Sequence, residues 1–217
     1  MKKIILSVVI TCISIAANAQ GTYEKGMQNG RAMLDSASSY ESALTVSNYF
    51  ERVAAANTKE WLPLYYAAFA SLDAGFMAKE DNKKDDLYQQ GLSFIKRAKE
   101  IKKNESELFA LEGYLQLMYI SNKPMVRAQL QTGAAIDLLE EAKKMDPLNP
   151  RPYFVQGQNT FYTPKFFGGG AKNAKPLLEK ASALYKTFTP STELMPTWGK
   201  ERCEGLLSEC NSSKDDN

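Results

Sequence analysis

The sequence predicts an all-α fold of about four helical hairpins closed by a C-terminal capping helix. Three observations carry this expectation. Runs that alternate apolar and polar residues are nearly absent, so strands are not indicated. One short theme recurs four times, as Phe50-Glu51-Arg52-Val53, Ile95-Lys96-Arg97-Ala98, Leu139-Glu140-Glu141-Ala142 and Leu178-Glu179-Lys180-Ala181. Each puts a large apolar residue one turn before a small or β-branched one, so both face the same neighbour. Finally, eleven and fifteen residues beyond Val53, Ala98 and Ala142 stand Leu64 and Ala68, Phe109 and Gly113, and Tyr153 and Gly157. A bulky and a tiny residue four apart share one helical face, which suits a neighbour whose backbone comes close.

Residues 1–19 read as a secretory leader. Lys2 and Lys3 form its charged start, Ile4 to Ile15 its apolar stretch, and Ala17-Asn18-Ala19 a small-x-small cleavage site. The apolar stretch is about twelve residues, short of the ~20 that span a bilayer as a helix. Cys12 lies inside that stretch, after Thr11, so lipid attachment is not expected. A periplasmic or secreted product follows, with one helical domain over residues 20–210. Asn57-Thr58-Lys59 stops a helix, and Pro63 stands in the first turn of the next, where proline is tolerated. Asp81 to Asp86 is expected as a charged connector before a helix carrying Leu87, Phe94 and Ile95. Asn122-Lys123-Pro124 breaks the following hairpin, and Thr163 to Gly170 breaks the last. Residues 211–217 are polar and expected to be a disordered tail. No later stretch has eighteen consecutive apolar residues, so membrane insertion is not expected.

The passage from Ala135 to Gly157 resembles the tetratricopeptide repeat family, whose helix–turn–helix units stack into a right-handed superhelix. It matches in order through Ala135, Leu139, Ala142, the turn prolines Pro147 and Pro150, then Tyr153 and Gly157. The resemblance extends more weakly from about Tyr40 to Phe188. It departs in spacing, since the family repeats every ~34 residues, while Val53, Ala98, Ala142 and Ala181 are 45, 44 and 39 apart. The junctions between repeats keep the family spacing, so the excess is expected inside each hairpin, in a longer first helix or a larger loop. The extra segments read as 74–86, 121–131 and 163–170. The tract Gly157 to Ala174, with Phe166-Phe167-Gly168-Gly169, and the ending Pro196 to Arg202 are similar to exported tetratricopeptide-like proteins of the Bacteroidota. The glycine tract also resembles the T component of tripartite ATP-independent periplasmic transporters. Asp35-Ser36-Ala37 resembles a Bacteroidota O-glycosylation pattern.

Composition excludes several functions. The chain has no histidine, which removes imidazole acid–base chemistry and the commonest metal ligand. Its 27 Lys and Arg include Lys2 and Lys3 of the leader; without those two, basic residues equal the 25 Asp and Glu. A balanced chain gives no overall electrostatic case for nucleic acid or an acidic membrane. Past the leader only Cys203 and Cys210 remain. Seven residues of helix rise roughly 10.5 Å, beyond the ~7 Å Cα separation a disulfide tolerates. Either the helix ends before Cys210 or the pair stays unbridged. Ser93-Phe94-Ile95-Lys96 has the S-x-x-K form without the partner motifs of penicillin-recognising enzymes, and no convergent carboxylate pair is indicated. No catalytic residue, metal site or cofactor is expected.

Two candidate sites remain. The tract with Gly169 and Gly170 leads into a helix bearing Lys172 and Lys175, where free backbone N–H groups and cations could hold an anion. The competing reading is a tight turn. The stronger candidate is the concave face, lined by the first helix of each hairpin. Its residues are Tyr65, Phe69 and Leu72, then Tyr114, Leu117 and Met118, then Phe154, Gln158, Phe161 and Tyr162. This lining is aromatic and nearly uncharged, which suits a hydrophobic peptide, a partner helix or an apolar small molecule. The alternative is self-closure, with Trp198 of the final helix as the plug. The leading expectation is a non-enzymatic periplasmic scaffold or adaptor that binds a protein or peptide on that face. The second is a small-ligand-binding component associated with periplasmic transport.

Overall fold

A computed structural model of the chain describes residues 21–213, and every regular element among them is helical. The expected leader lies outside the described residues. Helix α1 covers residues 21–36. It is followed by α2 (Tyr40–Ala56), α3 (Leu62–Met77), α4 (Asp81–Ile101), α5 (Ser106–Asn122), α6 (Pro124–Met145), α7 (Arg151–Tyr162), a 3-10 turn (Lys165–Phe167), α8 (Ala171–Thr187) and α9 (Lys200–Ser212).

Local chemistry sets these boundaries. Ser39 opens α2 with a reciprocal capping box, its side chain accepting from the Ser42 N–H while the Ser42 hydroxyl accepts from Ser39. Prolines 63, 124 and 152 sit in the first turns of α3, α6 and α7, where no N–H is missed. Consecutive helices pair as α1/α2, α3/α4, α5/α6 and α7/α8, and α9 packs on α8 and α7. The first helices also touch in series, α3 on α5 and α5 on α7. This is a tetratricopeptide-like superhelix of four hairpins and a cap.

The recurring theme forms the spine of the core. Phe50, Ile95, Ala98, Leu139, Ala142, Leu178 and Ala181 are all fully buried. Burying each large apolar side chain among them stabilises the stack by about 1.5–3 kcal/mol. The glycines do what their spacing implies. A Cβ on Gly113 would stand 2.6 Å from Leu139 Cδ2 and 3.2 Å from the Ala135 carbonyl; on Gly157, 2.8 Å from Leu178 Cδ2. Bare backbone at these points lets each hairpin close.

Several expectations need correction. In the second and third hairpins the extra residues lengthen the second helix rather than the first. Helices α4 and α6 have 21 and 22 residues against 16 and 17 for α3 and α5. Asp81 to Asp86 is therefore no connector but the opening of α4, where Asp81 suits the positive end of the helix dipole. Lys83 and Lys84 pair there with Glu80 and Asp81. Only in the last hairpin does the excess form a loop, over residues 163–170. At the C-terminus α9 runs two residues past Cys210, so Asn211 and Ser212 are helical; the rest of the expected tail beyond 213 lies outside the described residues. Cys203 and Cys210 both lie within this continuous helix, buried and unbridged.

Candidate functional site

The concave face is built by α3, α5 and α7 lying side by side. Its two halves differ. Over the N-terminal half of these helices, the segment between α8 and α9 (residues 188–199) crosses as a strap. Trp198 lies in this strap, just before α9 rather than within it. Its ring stacks on Phe69 at 5.1 Å and on Tyr114 at 5.9 Å, and meets Phe154 edge-on at 6.3 Å. Offset and edge-on ring pairs of this kind contribute ~0.5–1.5 kcal/mol each beyond simple burial.

Polar groups fix the strap. Trp198 Nε1 donates to the Tyr65 hydroxyl at 2.7 Å, and that hydroxyl donates to Glu107 at 3.1 Å. Arg151 donates to Glu107 at 2.8 Å and to the Pro196 carbonyl. The Tyr66 hydroxyl donates to the Leu194 carbonyl at 2.7 Å, and Arg31 donates to the carbonyl of Glu193. Gly199 ends the strap at φ +104°, turning the chain into α9 against Tyr185 and Phe154. Arg151 and Glu107 are fully enclosed. Burial raises the Glu107 pKa, and the Arg151 charge opposes the rise. One Arg151 nitrogen, Nε, has no partner among the described residues.

Beyond the strap the groove stays open. Its floor is Tyr114, whose hydroxyl accepts from Gln158 Nε2 at 2.8 Å. Phe76 stands 5.9 Å from the Tyr114 ring, and at the end of α7 Phe161 and Tyr162 pair edge to face at 5.1 Å. Arg202 of α9 donates to the Tyr162 hydroxyl. A cleft of about 320 Å³ opens beside Phe76, between Tyr88 and Met118 on one side and the polar Asp81, Lys84, Ser121 and Asn122 on the other. Asp73 lies on the same face of α3, one turn from Phe69 and from Phe76. It has no hydrogen-bond or ion-pair partner among the described residues, and burial among these rings pushes its carboxyl up to about 7.

The residues expected on the concave face thus divide. Tyr65, Phe69, Tyr114 and Phe154 meet the strap, and Tyr114 also floors the open half. Gln158, Met118, Phe161 and Tyr162 stand in or beside the open half. Leu72 and Leu117 point into the core, 0% and 1% exposed, and are unavailable to a ligand. The face is less neutral than expected, because Glu107, Arg151 and Asp73 all belong to it. A periodicity search for apolar positions passes over such residues. Their signal was positional: Asp73 and Arg151 lie one turn from Phe69 and Phe154, and Glu107 two turns from Tyr114.

The glycine tract is a tightly bonded turn. The N–H groups of Gly168, Gly169 and Gly170 donate to the carbonyls of Lys165, Pro164 and Thr160. Gly168 and Gly170 take φ of +82° and +92°, and Gly169 packs directly on the Thr163 carbonyl. These amides are already used within the turn, which leaves Lys172 and Lys175 on α8 without a backbone cradle from the tract.

Among solved structures, the chain is similar to the HusA haemophore from Porphyromonas gingivalis, with a TM-score of 0.74 and 30% sequence identity. The similarity covers 90% of this chain and 96% of that one. The chain belongs to the HusA family. A tetratricopeptide-repeat protein from Thermus thermophilus has the same fold at a TM-score of 0.51 and 14% identity, over 90% of this chain and 96% of its own. No protein-family model and no curated protein matches the sequence. Both the HusA member and the Thermus protein share the helical-repeat stack, and the first supports a non-enzymatic binding role. Among the described residues no helix is long and apolar enough to cross a membrane, and no cluster of potential ligands is suited to a metal ion.

Proposed function

We propose that this protein is a non-enzymatic, exported carrier of a flat, apolar small molecule, with a porphyrin such as haem as the ligand class. The observation behind this reading is the division of the groove. The strap covers one half, and beyond it the face carries the rings of Phe76, Tyr114, Phe161 and Tyr162, with Phe76 and Tyr162 48% and 59% exposed. Exposed rings gathered on one stretch of the face suit stacking on a planar ligand. An extended peptide along the whole face, the leading expectation from sequence, would first have to break the bonds that Tyr65, Tyr66 and Arg151 make to the strap. The haemophore named in the comparison supports the same choice. Ring stacking acts on the face of a porphyrin whatever its metal, so an iron-free porphyrin should bind as well.

Absorbance titration with haem and with metal-free protoporphyrin tests the reading. Both should bind, and Phe161→Glu should weaken both by at least about tenfold, roughly 1.4 kcal/mol. Absence of binding at micromolar concentrations, or equal binding by the Phe161→Glu variant, refutes it.

A further inference from the structure

The groove leaves unexplained a second set of exposed apolar side chains. Each hairpin turns from its first to its second helix at the same edge of the stack, and this edge carries the extra segments. Hydrogen bonds join neighbouring turns there: Asn122 donates to the Asp81 carbonyl and to Asp85, and Lys123 and Arg127 donate to Asp85. On the third turn Met125, Val126 and Leu130 are 99%, 74% and 83% exposed; on the fourth, Phe166 and Phe167 are 91% and 74% exposed. These are not fraying residues. The Phe166–Phe167 pair is held edge to face at 5.2 Å in a turn whose glycine amides are all bonded, with Asn173 donating to the carbonyls of Gly168 and Gly169.

Charge segregates along the same edge. Residues 121–136 and 159–178 contain Lys123, Arg127, Lys165, Lys172 and Lys175 and no Asp or Glu. Asp85 reaches in from α4 to hold Lys123 and the buried Arg127, so the charge that meets headgroups is carried chiefly by the fourth hairpin, with Lys172 and Lys175. The adjoining α3–α4 turn is otherwise balanced, Lys79, Lys83 and Lys84 against Glu80, Asp81 and Asp86. A chain neutral overall beyond its leader therefore presents one positive edge tipped with separate apolar knobs. They suit a fluid surface that lets each tip sink independently while cations meet headgroups.

We propose that the edge formed by the start of α6 and the α7–α8 turn docks reversibly on an anionic lipid surface. The open half of the groove lies at the C-terminal ends of the first helices, beside this edge, since Tyr162 leads directly into the Phe166–Phe167 turn. Docking therefore brings the exposed rings of Phe76 and Tyr162 toward the bilayer, where apolar molecules partition.

Co-sedimentation with vesicles tests this. The whole exported chain should pellet with phosphatidylglycerol–phosphatidylcholine vesicles at low salt and not with phosphatidylcholine alone. Binding should fall at least fivefold in Phe166→Ser/Phe167→Ser, and at least threefold in Lys172→Gln/Lys175→Gln. Circular dichroism should show both variants folded, and their porphyrin titrations in solution should match the parent, which separates this proposal from the ligand assignment. No pelleting with anionic vesicles, or equal pelleting by the double-serine variant, overturns the proposal. So does a dimer in light scattering that the serine variant converts to monomer, since the edge would then be a contact between copies.

Discussion

Replacing Trp198 with alanine tests whether the strap closes the groove in solution. The ring contacts Phe69, Tyr114 and Phe154, receives the Arg151 guanidinium 5.3 Å from its centre, and hydrogen-bonds Tyr65. Truncating a buried Trp costs about 3–5 kcal/mol. Because Trp198 keeps one edge accessible, the lower end applies, about 3 kcal/mol. In a domain of this size each kcal/mol shifts the midpoint by about 2–4 °C, so Trp198→Ala should melt about 6–12 °C below the parent. Trp198→Phe keeps the stacking and loses only the bond to Tyr65, so it should lose about 1 kcal/mol. Differential scanning calorimetry on the three proteins reads this directly. A shift under about 2 °C for Trp198→Ala would show that the strap is not packed on the aromatic face, and the division of the groove would fall with it.

Other predictions follow from single contacts. Asp73→Asn should raise the melting temperature, by an increment that grows from pH 4 to about 7 and stays level above. The folded carboxyl, raised to about 7, holds a proton that the unfolded chain has already lost; an increment that does not vary with pH across a melting series would refute this. Arg151→Met leaves Glu107 enclosed without its counter-charge and should cost about 3–5 kcal/mol, with much of the loss recovered in Arg151→Met/Glu107→Gln; urea denaturation of single and double variants measures it. Gly113→Ala drives a methyl into Leu139 and should destabilise by about 1–2 kcal/mol, overpacking set against a better helix former. By contrast Gly133→Ala, where a methyl would meet nothing within 4 Å, should stabilise α6 by about 0.5–1 kcal/mol in the same denaturation assay.

The architecture was legible because it rests on local pattern. Leu139 and Gly113 are far apart in sequence, yet each announces its role through the residues one turn away. The error over α4 came from reading charge as loop. Asp81 to Asp86 looks like a connector, but in a helix opening on a solvated face charged residues satisfy the dipole and pair at i, i+3. The site was only partly legible for a different reason. Tyr114, Phe161 and Tyr162 were placed by their register on a first helix. The strap was not, because its meaning is non-local: Arg151 meets Pro196 and Tyr65 meets Trp198 across 45 and 133 positions. Asp73 carries no motif at all, and its character arises from the rings around it.

The strap's anchors have one more consequence. Tyr66, Arg151 and Arg31 grip carbonyl oxygens of Leu194, Pro196 and Glu193, which any amino acid would supply. Evolution is therefore free to rewrite most strap side chains while the crossing stays put. Homologues should be recognised by the tyrosine and arginines that do the gripping, together with a lone indole, and hardly at all by the letters of the ribbon they hold.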